Sequence, residues 1–111
     1  MELPVVDKAE ALSRRDGDIE LWEEIREIWL SDVGSLIDSV EGALAARSAE
    51  ALRRAAHALK GASANVGATR VSSVAREVEG SAPGADWPAL EAIVATLRAE
   101  TEVARRELPS A

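Results

Sequence analysis

From Leu52 to Val66 the apolar residues recur at the period of an α-helix. Leu52, Ala55, Ala56, Leu59, Ala62 and Val66 fall on one side of a helix that turns about 100° per residue. Similar spacing marks most of the chain. Leu21, Trp22, Ile25, Ile28 and Trp29 form one stripe, and Val33, Leu36, Ile37, Val40 and Leu44 form the next. Val71, Val74, Ala75 and Val78 make another, and Leu90, Ile93, Val94, Leu97, Thr101 and Ala104 the last. No two-residue alternation persists. Ala is abundant, Phe and Tyr are absent, and there are no long β-branched runs. These are the habits of an all-helical chain, in which Trp22 and Trp29 are read as core rather than as a site.

Punctuation divides the stripes into elements. Asp7 followed by Glu10 resembles a capping box that opens a short helix through about Ser13. RRDGD turns the chain, and Asp18 caps the next helix. The apolar face shifts slightly at Ser31–Asp32, which predicts a bend or break with a fresh start there. Ser48 caps a central helix that ends at Gly67, where a left-handed terminal residue is expected. A second helix follows almost at once from Ala68, so the two are antiparallel neighbours. Gly80 to Ala85, GSAPGA, reads as a loop. Asp86 caps the last helix, with Pro88 in its first turn, and that helix frays before Pro109. The expected fold is all-α: one domain over residues 1–111, an antiparallel four-helix bundle with short additional N-terminal helices across one end.

Composition removes several function classes. The absence of cysteine excludes a disulfide frame and a thiolate nucleophile. No apolar run is long enough to span a bilayer, and MELPVVDKAE lacks a basic start and an apolar middle. A cytoplasmic protein with no membrane partner is expected. The net charge of −7 argues against nucleic-acid binding. From Ala51 through Arg76 there are five cations (Arg53, Arg54, Lys60, Arg70, Arg76) and no acid, whereas the remainder sets all twenty acids against the other eight of thirteen cations. That distribution predicts a basic patch on an acidic body.

The chain's one histidine, His57, lies roughly 140–160° around the central helix from Leu52 and Leu59 and so faces water. Its neighbours three and four positions away are Arg53, Arg54, Lys60 and Gly61, with Ala64 beyond. Gly61 occupies a surface position where Ala would be better by about 0.8–1 kcal/mol. The absence of its side chain admits close approach by a partner. A single histidine without cysteine does not make a zinc site of the usual kind. The di-iron bundle pattern requires a carboxylate where Arg54 stands, and a second histidine. Ser63 does not share the face of His57. What remains is His57 as a nucleophile, with Lys60 placed to offset the charge of a transferred phosphoryl group.

HALKGASANVG is similar to the signature of histidine-containing phosphotransfer domains. The matching positions are His57, Leu59, Lys60, Gly61, Ser63 and Gly67. GDIELWEEIREIWLSDVGSLI and LRRAA resemble the usual lead-in of that family, so the likeness runs from about Asp18 to Glu79. It implies a four-helix bundle whose His57 takes a phosphoryl group from a receiver-domain aspartate and passes it to another. By the same resemblance Lys60 steadies the phosphoryl group, and Gly61, with Arg53, Arg54 and Ala64 around it, belongs to the docking surface. Receiver domains of a hybrid histidine kinase or a response regulator are the implied partners. The resemblance further implies that Mg²⁺ sits on the receiver, so that the domain would need no cofactor of its own, and a monomeric carrier rather than an enzyme is expected. Arg76 and Glu79 are both candidates for a further polar group contributed by the following helix. Two other readings stand beside this one: a non-catalytic helical interaction module, and the phospho-acceptor domain of a chemotaxis-type kinase.

Overall fold

The computed structural model describes residues 3–110; Met1, Glu2 and Ala111, the ends of the expected 1–111 span, lie outside them. Five α-helices follow in order: α1 (Lys8–Ser13), α2 (Ile19–Ala45), α3 (Ala49–Val66), α4 (Thr69–Ser81) and α5 (Trp87–Glu107). No strand occurs among the described residues. Helix α2 packs on α3 and α5, α3 on α4, and α4 on α5, which closes a ring of four around one core. The 27 residues of α2 span about 40 Å at 1.5 Å each, a length that matches the 41 Å long extent of the molecule.

The caps are where the residue types place them. The side chains of Asp7, Asp18, Ser48 and Asp86 each accept a hydrogen bond from the backbone N–H three residues on. The capping box is half formed, since Glu10 turns its carboxylate to Arg14 instead. Gly67 ends α3 with φ +87°, and a Cβ there would meet the Asp7 carbonyl oxygen at 2.6 Å. Only glycine satisfies both the dihedral and the contact.

Three expectations fail. No break occurs at Ser31–Asp32: α2 runs through both residues. Trp22, Trp29, Val33, Ile37, Val40 and Ala43 are its buried residues, at spacings that keep to one face. The shift in the sequence came from counting Leu21 and Ile28 as core, yet Leu21 is exposed and Ile28 is 60% exposed. Ser and Asp each cost a helix only tenths of a kcal/mol to roughly 0.7, too little to interrupt a cooperative helix. Consequently only one short helix, α1, precedes the bundle. The segment Gly80–Ala85 is also less open than its composition suggests. Helix α4 continues through Ser81, then Ala82–Gly84 forms a 3-10 turn with Ala82 fully buried. Finally, α5 is followed by a 3-10 turn over Leu108–Ser110, anchored by the buried Leu108, rather than by a frayed end.

The core is small-residue aliphatic with two large anchors. Leu52, Ala56, Leu59 and Val66 of α3 are fully buried, and Ala55 and Ala62 half-buried. Trp22 donates its indole N–H to the Val66 carbonyl at 3.0 Å, and Trp29 donates to Ser63 Oγ at 3.1 Å. Both indoles therefore enter the core with their polar atom satisfied.

Candidate functional site

Helix α3 carries His57 on the side opposite its buried stripe, with the imidazole 65% exposed. The neighbouring helix meets it from one flank. Because α3 and α4 are antiparallel about the Gly67–Ala68 turn, residues equidistant from Ala68 stand level with each other. His57 and Glu79 are such a pair. Glu79 Oε2 lies 2.5 Å from His57 Nδ1, and Lys60 Nζ donates to the other carboxylate oxygen, Oε1, at 2.6 Å. Glu79 is 20% exposed and Lys60 25% exposed, so both are more sheltered than the imidazole they hold. Ser72 Oγ donates to the Lys60 carbonyl at 3.2 Å and ties α4 to α3 beneath the cluster.

The carboxylate favours one tautomer of the ring. The hydrogen bond from Lys60, and after it the bond to His57, holds the Glu79 carboxyl below its ordinary value of 4.5. An ionised carboxylate only accepts. The neutral imidazole must therefore carry its proton on Nδ1 and donate it to Glu79, which leaves the Nε2 lone pair unused by that bond. A helix-borne carboxylate that fixes the tautomer is the orienting group that the sequence reading of His57 lacked. Glu79 appeared there only as an unassigned candidate beside Arg76. The signal was present in the hairpin geometry, because equal distance from Ala68 picks out position 79 for position 57.

The basic patch is largely cancelled. Arg53 pairs with Glu50 through two hydrogen bonds, of 3.1 and 2.7 Å, and Arg54 stands 3.7 Å from the same carboxylate. Arg53's hydrogen bond lowers the Glu50 pKa in turn. Lys60 is paired with Glu79, and Arg70 lies 4.0 Å from Glu100. The acid-free stretch 51–76 is bounded by Glu50 and Glu77–Glu79, and helical neighbours bring those acids back onto its cations. Gly61 is exposed on the His57 face, with open space where a Cβ would stand. Ala64, one turn further, is half-buried at the edge of a groove.

That groove, of about 290 Å³, runs between α3, α4 and α1, and its walls include Ala64, Ser72, Ser73, Arg76 and Arg14. On the other flank of α3 a smaller hollow of about 90 Å³ is lined by Ile25, Ile28, Leu36 and Ala62, with Asp32 and Asn65 among them. The ridge bearing His57 thus has one flank walled by Arg14 and Arg76 and a mainly apolar one that carries Asp32. Among the described residues no group of three His, Cys, Asp or Glu is arranged to hold a metal ion, and no helix is long and apolar enough to cross a membrane.

A four-helix bundle that displays one imidazole, oriented by a carboxylate and open to a large partner, has the form of a group carrier. The chain belongs to the Hpt domain family, whose model matches residues 24–107. Its fold is similar to the crystal structure of histidine-containing phosphotransfer protein B (HptB) from Pseudomonas aeruginosa PAO1. The TM-score is 0.86 at 25% identity, over 98% of this chain and 95% of that one. Comparison with curated proteins gives no match. This is accordingly a histidine phosphotransfer protein of phosphorelay signalling, a phosphocarrier that works by interaction with other relay proteins.

Proposed function

We propose that His57 is the phospho-acceptor, and that it receives the phosphoryl group from the aspartyl phosphate of one receiver domain and delivers it to the aspartate of another. The observation that carries this reading is the Glu79–His57 hydrogen bond, which gives an exposed imidazole the tautomer a nucleophile needs. In the forward step the Nε2 lone pair attacks phosphorus. An N–P bond forms while the P–O bond to the donor aspartate breaks, and the electron pair leaves with the carboxylate. The proton on Nδ1 stays in place. The ring becomes a phosphorylated imidazolium, and Glu79 lies against its positive charge. Delivery to a second receiver reverses these steps.

The partner supplies the Mg²⁺ and the acidic pocket, so the carrier depends on its partner's active site and holds no cofactor. Lys60 has three donors, of which one is engaged by Glu79. The others are available to an incoming phosphoryl oxygen, so the residue both holds Glu79 in place and steadies the group. Gly61 leaves space for the receiver, with Arg53, Arg54 and Ala64 around it. The apolar flank at Ile25, Ile28 and Leu36 offers the receiver surface that excludes water. A monomer in the cytoplasm, without nucleic-acid or membrane partners, fits this role.

The test is to mix the protein with phosphorylated receiver domains and follow an acid-labile, base-stable label. Wild type should take up the label and His57→Gln should not. Full labelling of the Gln variant would overturn the assignment. A parallel incubation with ATP and kinase domains alone should leave the protein unlabelled. Strong labelling in that arm would make it a kinase-fed acceptor domain instead.

A further inference from the structure

The two flanks of the His57 ridge differ in charge, and the polar flank carries one cation, Arg76, that has no partner among the contacts described. Arg76 stands on α4, three residues before Glu79, and is exposed at the wall of the polar groove beside Ala64, Ser72 and Ser73. By helix geometry it is about 4.5 Å further along the axis than the residue that touches His57. Every other cation of α3 and α4 is already engaged: Arg53 and Arg54 by Glu50, Lys60 by Glu79, Arg70 by Glu100 and the Leu3 carbonyl. Across the groove Arg14 is held by Glu10 at 2.7 Å. Arg76 forms no ion pair among the described residues. It is a guanidinium kept beside a phosphotransfer site on a body whose net charge is −7.

We propose that Arg76 receives a carboxylate from the rim of the receiver's active site, and so fixes which way round the receiver sits on His57. The inference rests on the relay reading of His57 and specifies its partner: a receiver with an acidic side chain on the edge that faces α4. Charge complementarity is the reason for preferring this occupant. An acidic protein repels acidic partners at long range, and one unpaired cation at the rim makes a single orientation favourable. The hollow on the opposite flank, where Asp32 and Asn65 stand among Ile25, Ile28, Leu36 and Ala62, offers no cation to such a carboxylate.

The experiment measures binding and transfer separately. The receiver domain from the same genome that binds this protein most tightly is titrated against unphosphorylated wild type, Arg76→Ala, Arg76→Glu and Arg106→Glu. The last is an exposed cation on α5 that serves as the control for net charge. Titrations are run at low and at moderate salt, with circular dichroism to verify folding. Arg76→Glu should weaken binding by about tenfold or more at low salt, and Arg106→Glu by much less. The Kd of wild type should rise with salt, and that of Arg76→Ala should be flatter. Equal effects of the two Glu variants, or none from either, would overturn the docking role even if phosphoryl transfer to His57 proceeds. Binding that depends on Arg76 without any transfer through His57 would instead overturn the relay reading and leave the docking role standing.

Discussion

At the residue scale the decisive contact is between a histidine and a carboxylate 22 positions apart. Replacing Glu79 by Gln keeps the size and removes the charge. The amide can also present its NH₂ to Nδ1, which moves the ring proton to Nε2 and blocks the nucleophile. Transfer from a receiver should slow by on the order of ten- to a hundredfold. That is less than the loss when a buried orienting carboxylate is replaced, because this site is open to water. Stopped-flow or quenched-label kinetics would measure it, and an unchanged rate would reduce Glu79 to a surface ion pair. The same residue has a pH signature. Its pKa is lowered in the folded state, so its contribution to stability is complete above its unfolded value near 4.5 and is lost as pH falls through the lower folded value. Melting temperatures of wild type and Glu79→Gln should therefore differ from neutral pH down to about 4.5 and converge in more acid solution. Lys60→Ala frees Glu79 and removes the donor proposed to steady the phosphoryl group. A shorter lifetime of the phosphorylated protein is expected, to be read from decay of the label. The sequence placed His57 and Lys60 on an exposed face through helical period alone. It left Glu79 unresolved because period describes one helix at a time, whereas the pairing belongs to two.

At the scale of elements, α3 contains two glycines with opposite reasons for being there. Gly67 has a left-handed φ and no room for a Cβ against the Asp7 carbonyl. Gly67→Ala should destabilise by at least about 1–2 kcal/mol, since a left-handed residue with a Cβ already costs that much and backbone must then shift as well. Gly61 has neither constraint. Gly61→Ala should raise stability by roughly 0.5–1 kcal/mol through helix propensity and a less flexible unfolded chain, and Gly61→Gln should do nearly as well. The partner should respond in the opposite sense, because Gln occupies the approach to His57: a more stable protein that transfers poorly. Denaturant titration beside transfer kinetics separates the two, and a more stable Gly61→Gln variant that transfers normally would refute the docking role of the glycine. Caps and stripes were legible here because each is local. The Ser31–Asp32 boundary was misread for a tertiary reason. The N-terminal half of α2 carries more apolar surface than its core neighbours cover, so Leu21 and Ile28 look like core in the sequence and stand at the surface in the fold.

For the whole molecule, the N-terminal arm and the His57–Glu79 cluster occupy different parts of the α3–α4 hairpin. The arm is fastened to the turn: Asp7 N–H donates to the Gly67 carbonyl at 2.8 Å, Thr69 Oγ1 to the Pro4 carbonyl, Arg70 Nε to the Leu3 carbonyl and Arg15 to the Asn65 carbonyl. Ala11 is buried on the core, with Val5, Val6 and Leu12 packed at its edge. Lys8 lies over the Trp22 ring at 4.9 Å. His57 is ten residues before Gly67, about 15 Å away along α3, and the family match begins only at residue 24. Removing the arm up to Arg15 should therefore lower stability without altering the imidazole. Loss of these apolar contacts, net of the entropy regained, is on the order of 2 kcal/mol, or roughly 10 °C in Tm. Trp22 reports the change directly, since its covered indole becomes accessible to quenchers. The rate at which a small phosphoramidate phosphorylates His57 should stay the same at a temperature where the shortened chain is folded. Such a donor needs no docked receiver, so it tests the Glu79–His57 unit independently of the groove walls that Leu3, Glu10 and Arg14 contribute. A fall in that rate, with α3 and α4 still folded, would mean that the latch at the Gly67 turn sets the register of the two helices as far as His57, and that the arm is part of the site.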